Sequence, residues 1–344
     1  MVRPLRVGIV GCGFIAQTQH IPSLLKIKDV EIAAICDMNE DLAKRVAERF
    51  HIDRYYTDFS EMLERERVKM VDICTSPQTH VALSLQAMKG GCHVLMEKPI
   101  ALSLEETDAI IKAAKANRVK LCVVHNELFE SVVMRARAIV NRGDIGDLVA
   151  VHITDLTPKR YDWIRDKKHW AHRLAGGIFG EMLPHPIYLA QAFLGRLEPV
   201  AVYSRKLGGY DWIAADELRV ILEGKKGIAT IASSINTPQD NVLLDILGTK
   251  MGLHVSLWNS ALTKFGSGGS RLVSRGWENL SQSSSILADT AITASKMTSG
   301  RQHRGHYNLI RGFIASLQSG TAPPVTMEEA REVVRLHEAI IAQI

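Results

Sequence analysis

The sequence of 344 residues lacks any apolar run near the ~20 residues that a membrane-spanning helix needs, which excludes a helical membrane protein. It lacks a signal-peptide pattern: Met1-Val2-Arg3-Pro4-Leu5-Arg6 runs straight into a strand-like segment, so a cytoplasmic location is expected. It has only five cysteines, all within the first 122 residues, and none stands at a CxxC or Cys/His metal spacing. They read as reduced packing residues, and no metal is expected. A formal charge of +5, with no basic run interleaved with aromatics, argues against a nucleic-acid partner. There is no internal repeat. What remains, 46% hydrophobic and 23% charged residues, is the composition of a globular chain of about two domains.

The first third alternates short apolar, β-rich runs with segments of helical period, the signature of βαβ units and a parallel sheet. Strands are expected at residues 6–10, 31–35, 71–74, 93–96 and 121–124, and helices at 14–25, 40–50, 80–89 and 104–116. Ser103 with Glu106 three residues on is a capping box for the last helix. After residue 125 the rhythm changes. A helix over 128–141 is followed by strand-like runs at 149–154, 200–204, 217–223, 227–233 and 242–247, separated by polar turns, which implies a largely antiparallel sheet. Residues 266–305, rich in Ser, Gly and Arg, are the least readable. Helices resume at 306–318 and 327–341, where Thr326 and Glu329 repeat the capping spacing. The expected fold is therefore α/β: a doubly wound parallel sheet over residues 1–124, then an α+β domain over 125–344 with a large, mainly antiparallel sheet.

The strongest single motif is Gly11-Cys12-Gly13-Phe14-Ile15-Ala16 at the junction of the first strand and helix. A lone GxGxxG/A pattern is weak. Here Asp37 stands 21 residues beyond Ala16, directly after the second strand, which completes a dinucleotide fingerprint. Gly11 suits the tight turn and Gly13 a close approach of pyrophosphate to the backbone. Phe14 and Ile15 open the helix whose N-H groups would face the phosphates. The Asp37 carboxylate can accept both adenosine ribose hydroxyls and would repel a 2'-phosphate, so NAD is favoured over NADP.

A second cluster, Met96-Glu97-Lys98-Pro99-Ile100-Ala101-Leu102-Ser103, ends the fourth strand, with Thr75-Ser76-Pro77-Gln78-Thr79-His80 upstream. Together with the fingerprint, with Ala175-Gly176-Gly177 and His185, and with Pro323-Pro324-Val325-Thr326, it resembles the glucose-fructose oxidoreductase, inositol dehydrogenase and rhizopine catabolism family, Gfo/Idh/MocA. The resemblance implies an NAD-binding Rossmann domain and a second domain whose open sheet face forms a homodimer or homotetramer. The implied substrates are sugars, cyclitols or nucleotide sugars. Near the cofactor it implies Ser76, His80, Glu97, Lys98 and Asn126. At the reaction centre it implies Lys98 and an Asp-x-x-x-His pair, here Glu181 and His185. Glu181 is one methylene longer than the usual Asp, and Pro184 and Pro186 favour a break beside His185. Glu127 and Leu128 depart from the arginines frequent after the Asn. Trp163, Arg165, His169, Trp170 and Arg173 precede the glycine pair as the family's substrate loop does, and of these Trp163, Arg165 and Trp170 are taken as substrate contacts. His303 and His306 read as solvated.

The implied chemistry is hydride transfer between nicotinamide and a hydroxyl-bearing carbon. His185 would exchange the proton, Lys98 polarise the oxygen, and Glu181 orient His185 or hold a neighbouring hydroxyl. Six basic residues (Lys159, Arg160, Arg165, Lys167, Lys168, Arg173) against Asp162 and Asp166 suit an anionic substrate. Two alternatives stay open: a non-catalytic dinucleotide-binding sensor or regulator, and NAD-dependent elimination at a glycosidic bond.

Overall fold

The structure, a computed structural model, describes residues 4–266, 272–298 and 304–344. The chain forms two compact units: Met1–Asn126 with Gly305–Arg335, and Glu127–Arg304 with Leu336–Ile344. The sequence reading placed everything after residue 124 in one domain. Instead, the helix Gly305–Ser319 and most of the helix Met327–Ile341 return to the first unit, where Ala330 and Val334 join its buried core.

The first unit is built on strands β1 (Leu5–Val10), β2 (Val30–Cys36), β3 (Tyr55–Tyr56), β4 (Met70–Ile73), β5 (His93–Met96) and β6 (Leu121–Val123). All pairs are parallel, in the order β3-β2-β1-β4-β5-β6, which is the doubly wound arrangement. The strand order reverses between β1 and β4, so the crevice that binds ligands in such sheets opens beyond their carboxyl ends. The fully buried run Val71, Ile73, Val94, Met96 explains why these strands read as continuous apolar stretches.

Local chemistry accounts for the helices. Ser103 Oγ accepts the Glu106 N-H at 3.1 Å while Glu106 Oε2 accepts the Leu102 N-H at 2.9 Å, a closed capping box. Thr326 and Glu329 repeat it. The helix Phe59–Glu66 escaped the periodicity reading because its apolar face is short, although Asp58 caps it by accepting the Glu61 N-H at 2.9 Å. The first helix is not regular. Residues Ala16–His20 form a π-helical turn that runs into the α-helical turn Ile21–Leu24, with the Ile21 N-H donating to the Ala16 carbonyl five residues back. Pro22, which has no N-H to donate, explains the irregularity.

The second unit carries strands β7 (Leu148–Leu156), β8 (Leu197–Arg205), β9 (Glu217–Gly224), β10 (Gly227–Ser234), β11 (Asn241–Gly248), β12 (Gly252–Ser256) and β13 (Ala261–Phe265), ordered β13-β12-β11-β7-β10-β9-β8. Neighbours are antiparallel except β7 and β10, whose parallel pairing follows from the helical crossover from β7 to β8 and the antiparallel meander β8-β9-β10 that leads back. One face, with Val151, Ile153, Ile231, Leu244 and Ile246, is buried under the helices Ser131–Asn141 and Pro184–Leu194. The other face leaves Tyr203, Ile221 and Ile228 exposed. Within the stretch that resisted the sequence reading lies a 27-residue helix, Leu272–Thr298. Residues 267–271 and 299–303, His303 among them, lie outside the described residues. Among the described residues no helix is long and apolar enough to cross a membrane.

Candidate active site

In the first unit, β1 ends in a turn that only glycine at position 11 can make. Gly11 has φ +91°, and a Cβ there would lie 2.8 Å from Thr75 Cγ2 and 2.9 Å from the Cys74 carbonyl carbon. Gly13 is the opposite case: a Cβ there would meet nothing within 4 Å, which leaves open space above the backbone where a pyrophosphate would approach. Ala16 is fully buried, as close packing of the first helix against the sheet requires, whereas Phe14 is 80% exposed.

Asp37, after β2, is fixed by two backbone donors. Its Oδ2 accepts the Cys12 N-H at 2.8 Å and its Oδ1 the Asn39 N-H at 2.9 Å. Each carboxylate oxygen keeps a further lone pair for a ribose hydroxyl. The set fits a dinucleotide: open space at Gly13 where a pyrophosphate would pass, and an acid at Asp37 whose two oxygens are fixed by backbone donors for a ribose.

The loops after β4 and β5 are tied together by His80. The sequence reading made His80 a cofactor contact. In the structure it is fully buried, with Nδ1 2.9 Å from the Pro99 carbonyl oxygen and Nε2 3.0 Å from that of Thr75. Burial lowers its pKa, so the neutral imidazole donates through one nitrogen and braces the two loops from behind. Ser76 stands at the start of the turn Pro77–Thr79 and its carbonyl accepts from both the backbone N-H and the hydroxyl of Thr79. The Lys98-Pro99 peptide is cis.

Behind Lys98 lies a buried polar cluster. Glu97 Oε2 accepts the Lys98 N-H at 3.1 Å, while Oε1 lies 2.8 Å from His20 Nε2 and 3.6 Å from His306 Nε2. His20 Nδ1 meets both Asp72 oxygens, at 2.9 and 3.0 Å. Burial opposes charge on His20, yet the field and hydrogen bond of Asp72 raise its pKa well above the usual range. Burial likewise opposes charge on Glu97, and hydrogen bonds from His20 and His306 overcome it and lower its pKa well below normal. His306 is therefore buried beside Glu97, not solvated as its Ser/Arg-rich surroundings suggested. Glu97, expected at the cofactor, is instead the hub of this cluster. His20, Glu97 and His306 are of metal-ligating types, but the 2.8 Å contact between donor atoms is that of an ion-paired hydrogen bond.

In the second unit, Glu181 lies in the helix Ile178–Met182 and His185 in the helix Pro184–Leu194. The expected break is a junction: Leu183 keeps helical angles (φ −58°, ψ −31°) and Pro184 occupies the first turn of the second helix, where its missing N-H costs nothing. His185 Nδ1 contacts the Tyr188 hydroxyl at 2.7 Å and Glu127 Oε1 at 3.3 Å. Tyr188 is almost fully buried and its hydroxyl also accepts the Glu127 N-H at 3.3 Å. Sequence reading missed both partners, since it noted Glu127 only as a departure and Tyr188 not at all. The charge of Glu181 acts on His169, where it offsets part of the lowering that burial causes.

Trp163, His169 and Trp170 form an aromatic row, with ring centroids 6.4 and 5.2 Å apart. Arg165 is exposed and paired with Asp162 at 2.6 Å, and Arg160 donates to the Pro238 carbonyl. Asn126 opens the short turn Asn126–Phe129 after β6.

Comparison with known proteins agrees with this layout. Residues 5–125 match the family model described as an oxidoreductase family with NAD-binding Rossmann fold, and residues 133–254 match that of the GFO/IDH/MocA C-terminal domain. A myo-inositol 2-dehydrogenase of Thermotoga maritima is 32% identical over 193 residues, 56% of this chain and 55% of its own length. The chain thus aligns with little more than half of that relative. Two solved structures share the fold across nearly the whole chain. One is an oxidoreductase from Agrobacterium radiobacter in complex with NAD+, L-tartaric acid and magnesium (TM-score 0.78, 21% identity, 98% of this chain and 95% of that one). The other is the WlbA dehydrogenase from Bordetella pertussis in complex with NADH and UDP-GlcNAcA (TM-score 0.80, 20% identity, 99% and 95%).

Proposed function

The chain belongs to the Gfo/Idh/MocA family of oxidoreductases, and from that premise we propose that it is an NAD-dependent dehydrogenase acting on a hydroxyl-bearing carbon of a sugar, cyclitol or nucleotide sugar. The observation that carries the reading is the cradle of Gly11, Gly13 and Asp37 at the reversal point of the parallel sheet, with Lys98 on the loop after β5. NAD, when bound, supplies the hydride acceptor. Gly13 leaves room for its pyrophosphate and Asp37 accepts its ribose hydroxyls.

His185 takes the hydroxyl proton, since an imidazole nitrogen can accept a proton and return it. The Lys98 ammonium donates to the same oxygen and stabilises the developing alkoxide. Trp163 and Trp170 offer ring faces on which a sugar can stack. The basic residues around them support an anionic sugar, such as a uronate or a nucleotide diphosphate. The exposed apolar residues Tyr203, Ile221 and Ile228 support a homodimer or homotetramer formed through the open sheet face.

The test is NAD reduction against a panel of neutral sugars, cyclitols, uronates and nucleotide sugars, repeated with His185→Asn and Lys98→Ala. Loss of turnover in both variants with NAD still bound is the expected result. Near-normal turnover in either overturns its assigned role. Activity confined to neutral polyols sinks the anionic substrate. NAD binding without turnover on any substrate favours the sensor.

A further inference from the structure

We propose that Glu127, and not the residue four positions before His185, is the carboxylate that sets the tautomer of His185 and so makes it a base. This rests on the dehydrogenase reading above. His185 Nδ1 faces two oxygen groups, the Tyr188 hydroxyl at 2.7 Å and Glu127 Oε1 at 3.3 Å. A phenol can either donate or accept, so Tyr188 alone is compatible with a proton on Nδ1 or on Nε2. An ionised carboxylate can only accept. Glu127 therefore breaks the tie: it places the proton on Nδ1 and leaves the Nε2 lone pair to take a proton from substrate.

The surroundings strengthen this assignment. The side chains of Glu127 and His185 are only 16% and 22% exposed, so water screens their interaction weakly. Glu127 is held by its own backbone N-H, which donates to the same Tyr188 hydroxyl at 3.3 Å and closes a small ring of contacts around Nδ1. Its second oxygen, Oε2, is buried and has no hydrogen-bond partner among the described residues. When Nε2 takes up a proton during alcohol oxidation, the imidazolium forms beside a carboxylate already in place. This is the orienting and stabilising role that a buried acid plays toward a catalytic histidine in hydrolases. Glu181 lies on the preceding helix, Ile178–Met182, and its charge acts on His169. Glu127 is thus a positioning residue, acting through His185.

The experiment measures the His185 tautomer by nitrogen-15 NMR in the full chain without substrate, for the native protein and for Glu127→Gln, Glu127→Asp and Tyr188→Phe, and then their steady-state kinetics. The native protein is expected to carry its neutral-form proton on Nδ1. Glu127→Gln, isosteric but able to donate, shifts the population toward Nε2-H and lowers kcat by ~10- to 100-fold, within the range that general-base catalysis contributes, with KM for NAD unchanged. Glu127→Asp keeps the Nδ1-H form and part of the rate. Tyr188→Phe keeps the Nδ1-H form. A native Nε2-H tautomer, or a Glu127→Gln protein with native tautomer and native kcat, overturns the proposal. The NMR result decides it even if no substrate is turned over, in which case the dehydrogenase reading fails separately.

Discussion

Replacing His20 with leucine puts the buried cluster behind Lys98 to a quantitative test. His20 Nδ1 and Nε2 together reach three carboxylate oxygens at 2.8–3.0 Å, and the His20, Asp72 and Glu97 side chains are 0%, 0% and 11% exposed, so the pairs escape most solvent screening. Hydrogen bonds to charged groups contribute ~1.5–3 kcal/mol each, and removing one member of a buried ion pair costs ~3–5 kcal/mol because the other is left uncompensated. The expected loss for the first unit at neutral pH is therefore about 3–5 kcal/mol. All five tryptophans lie at residue 163 or beyond, so their fluorescence reports on the second unit. Hydrogen exchange followed by mass spectrometry on peptides from β1, β4 and β5 is the suitable assay. The sign with pH follows from the shifts. The raised pKa of His20 contributes stability that is complete below its usual 6.5 and declines as pH rises toward its folded value, whereas the lowered pKa of Glu97 contributes above its usual 4.5 and is lost on acidification. The alkaline decline is expected in the native protein and is missing in His20→Leu. A triple variant, His20→Leu with Asp72→Asn and Glu97→Gln, recovers more than half of the loss, since it removes both carboxylates that the single change leaves without His20. A loss below ~1 kcal/mol, the scale of an exposed ion pair, or a triple variant no better than the single one, refutes the reasoning.

Three further outcomes follow from the cradle and the core. Gly13→Ala folds with native thermal stability, because its Cβ meets open space, but loses NAD affinity by calorimetry, whereas Gly11→Ala is destabilised by at least ~1–3 kcal/mol, because φ +91° and the Cys74 backbone both oppose a side chain. Equal stabilities for the two would contradict the geometry. Asp37→Asn removes a charged acceptor contributing ~1.5–3 kcal/mol, so the preference for NAD over NADP falls by roughly ten- to a hundredfold in kcat/KM. An unchanged ratio would remove Asp37 from the ribose site. The five cysteines are free and buried, and burial raises the thiol pKa at each, to about 12 for Cys36, Cys74 and Cys122. A disulfide reagent at neutral pH should titrate none of them in the native protein and five after denaturation.

What could be read from the sequence was what neighbours in the chain decide. The strands of the first unit, the capping boxes and the glycine turn with Asp37 depend on residues within one βαβ unit, and they stand where pattern and spacing put them. The misreadings share the opposite property. His306 looked solvated because its local context is polar, yet a contact with Glu97 more than 200 residues away buries it. His80 occupies a position suited to a ligand contact, but both of its ring nitrogens face carbonyls of the loops it joins. Glu127 looked like a mere departure from a pattern, because its contact is with a histidine 58 positions on, and four-residue periodicity gives no information about a partner on another element. The helix Leu272–Thr298 was hidden by serine-rich composition, which weakens an amphipathic signal without preventing a helix that packs against β13.

The discontinuity of the first unit has a consequence for how this molecule comes into being. Its sheet ends at residue 123, but Ala330 and Val334, which complete its core, and His306, which faces Glu97, are made only after some 180 intervening residues. During synthesis the nucleotide cradle must wait as an unfinished surface, with the second unit emerging before the first can close. Contacts of such long sequence separation slow folding. A fragment ending at residue 126 would carry every residue of the glycine motif and still present raw apolar surface. Expression of that fragment alone should yield an aggregating species, and adding residues 305–335 through a short flexible link is the change that should rescue it.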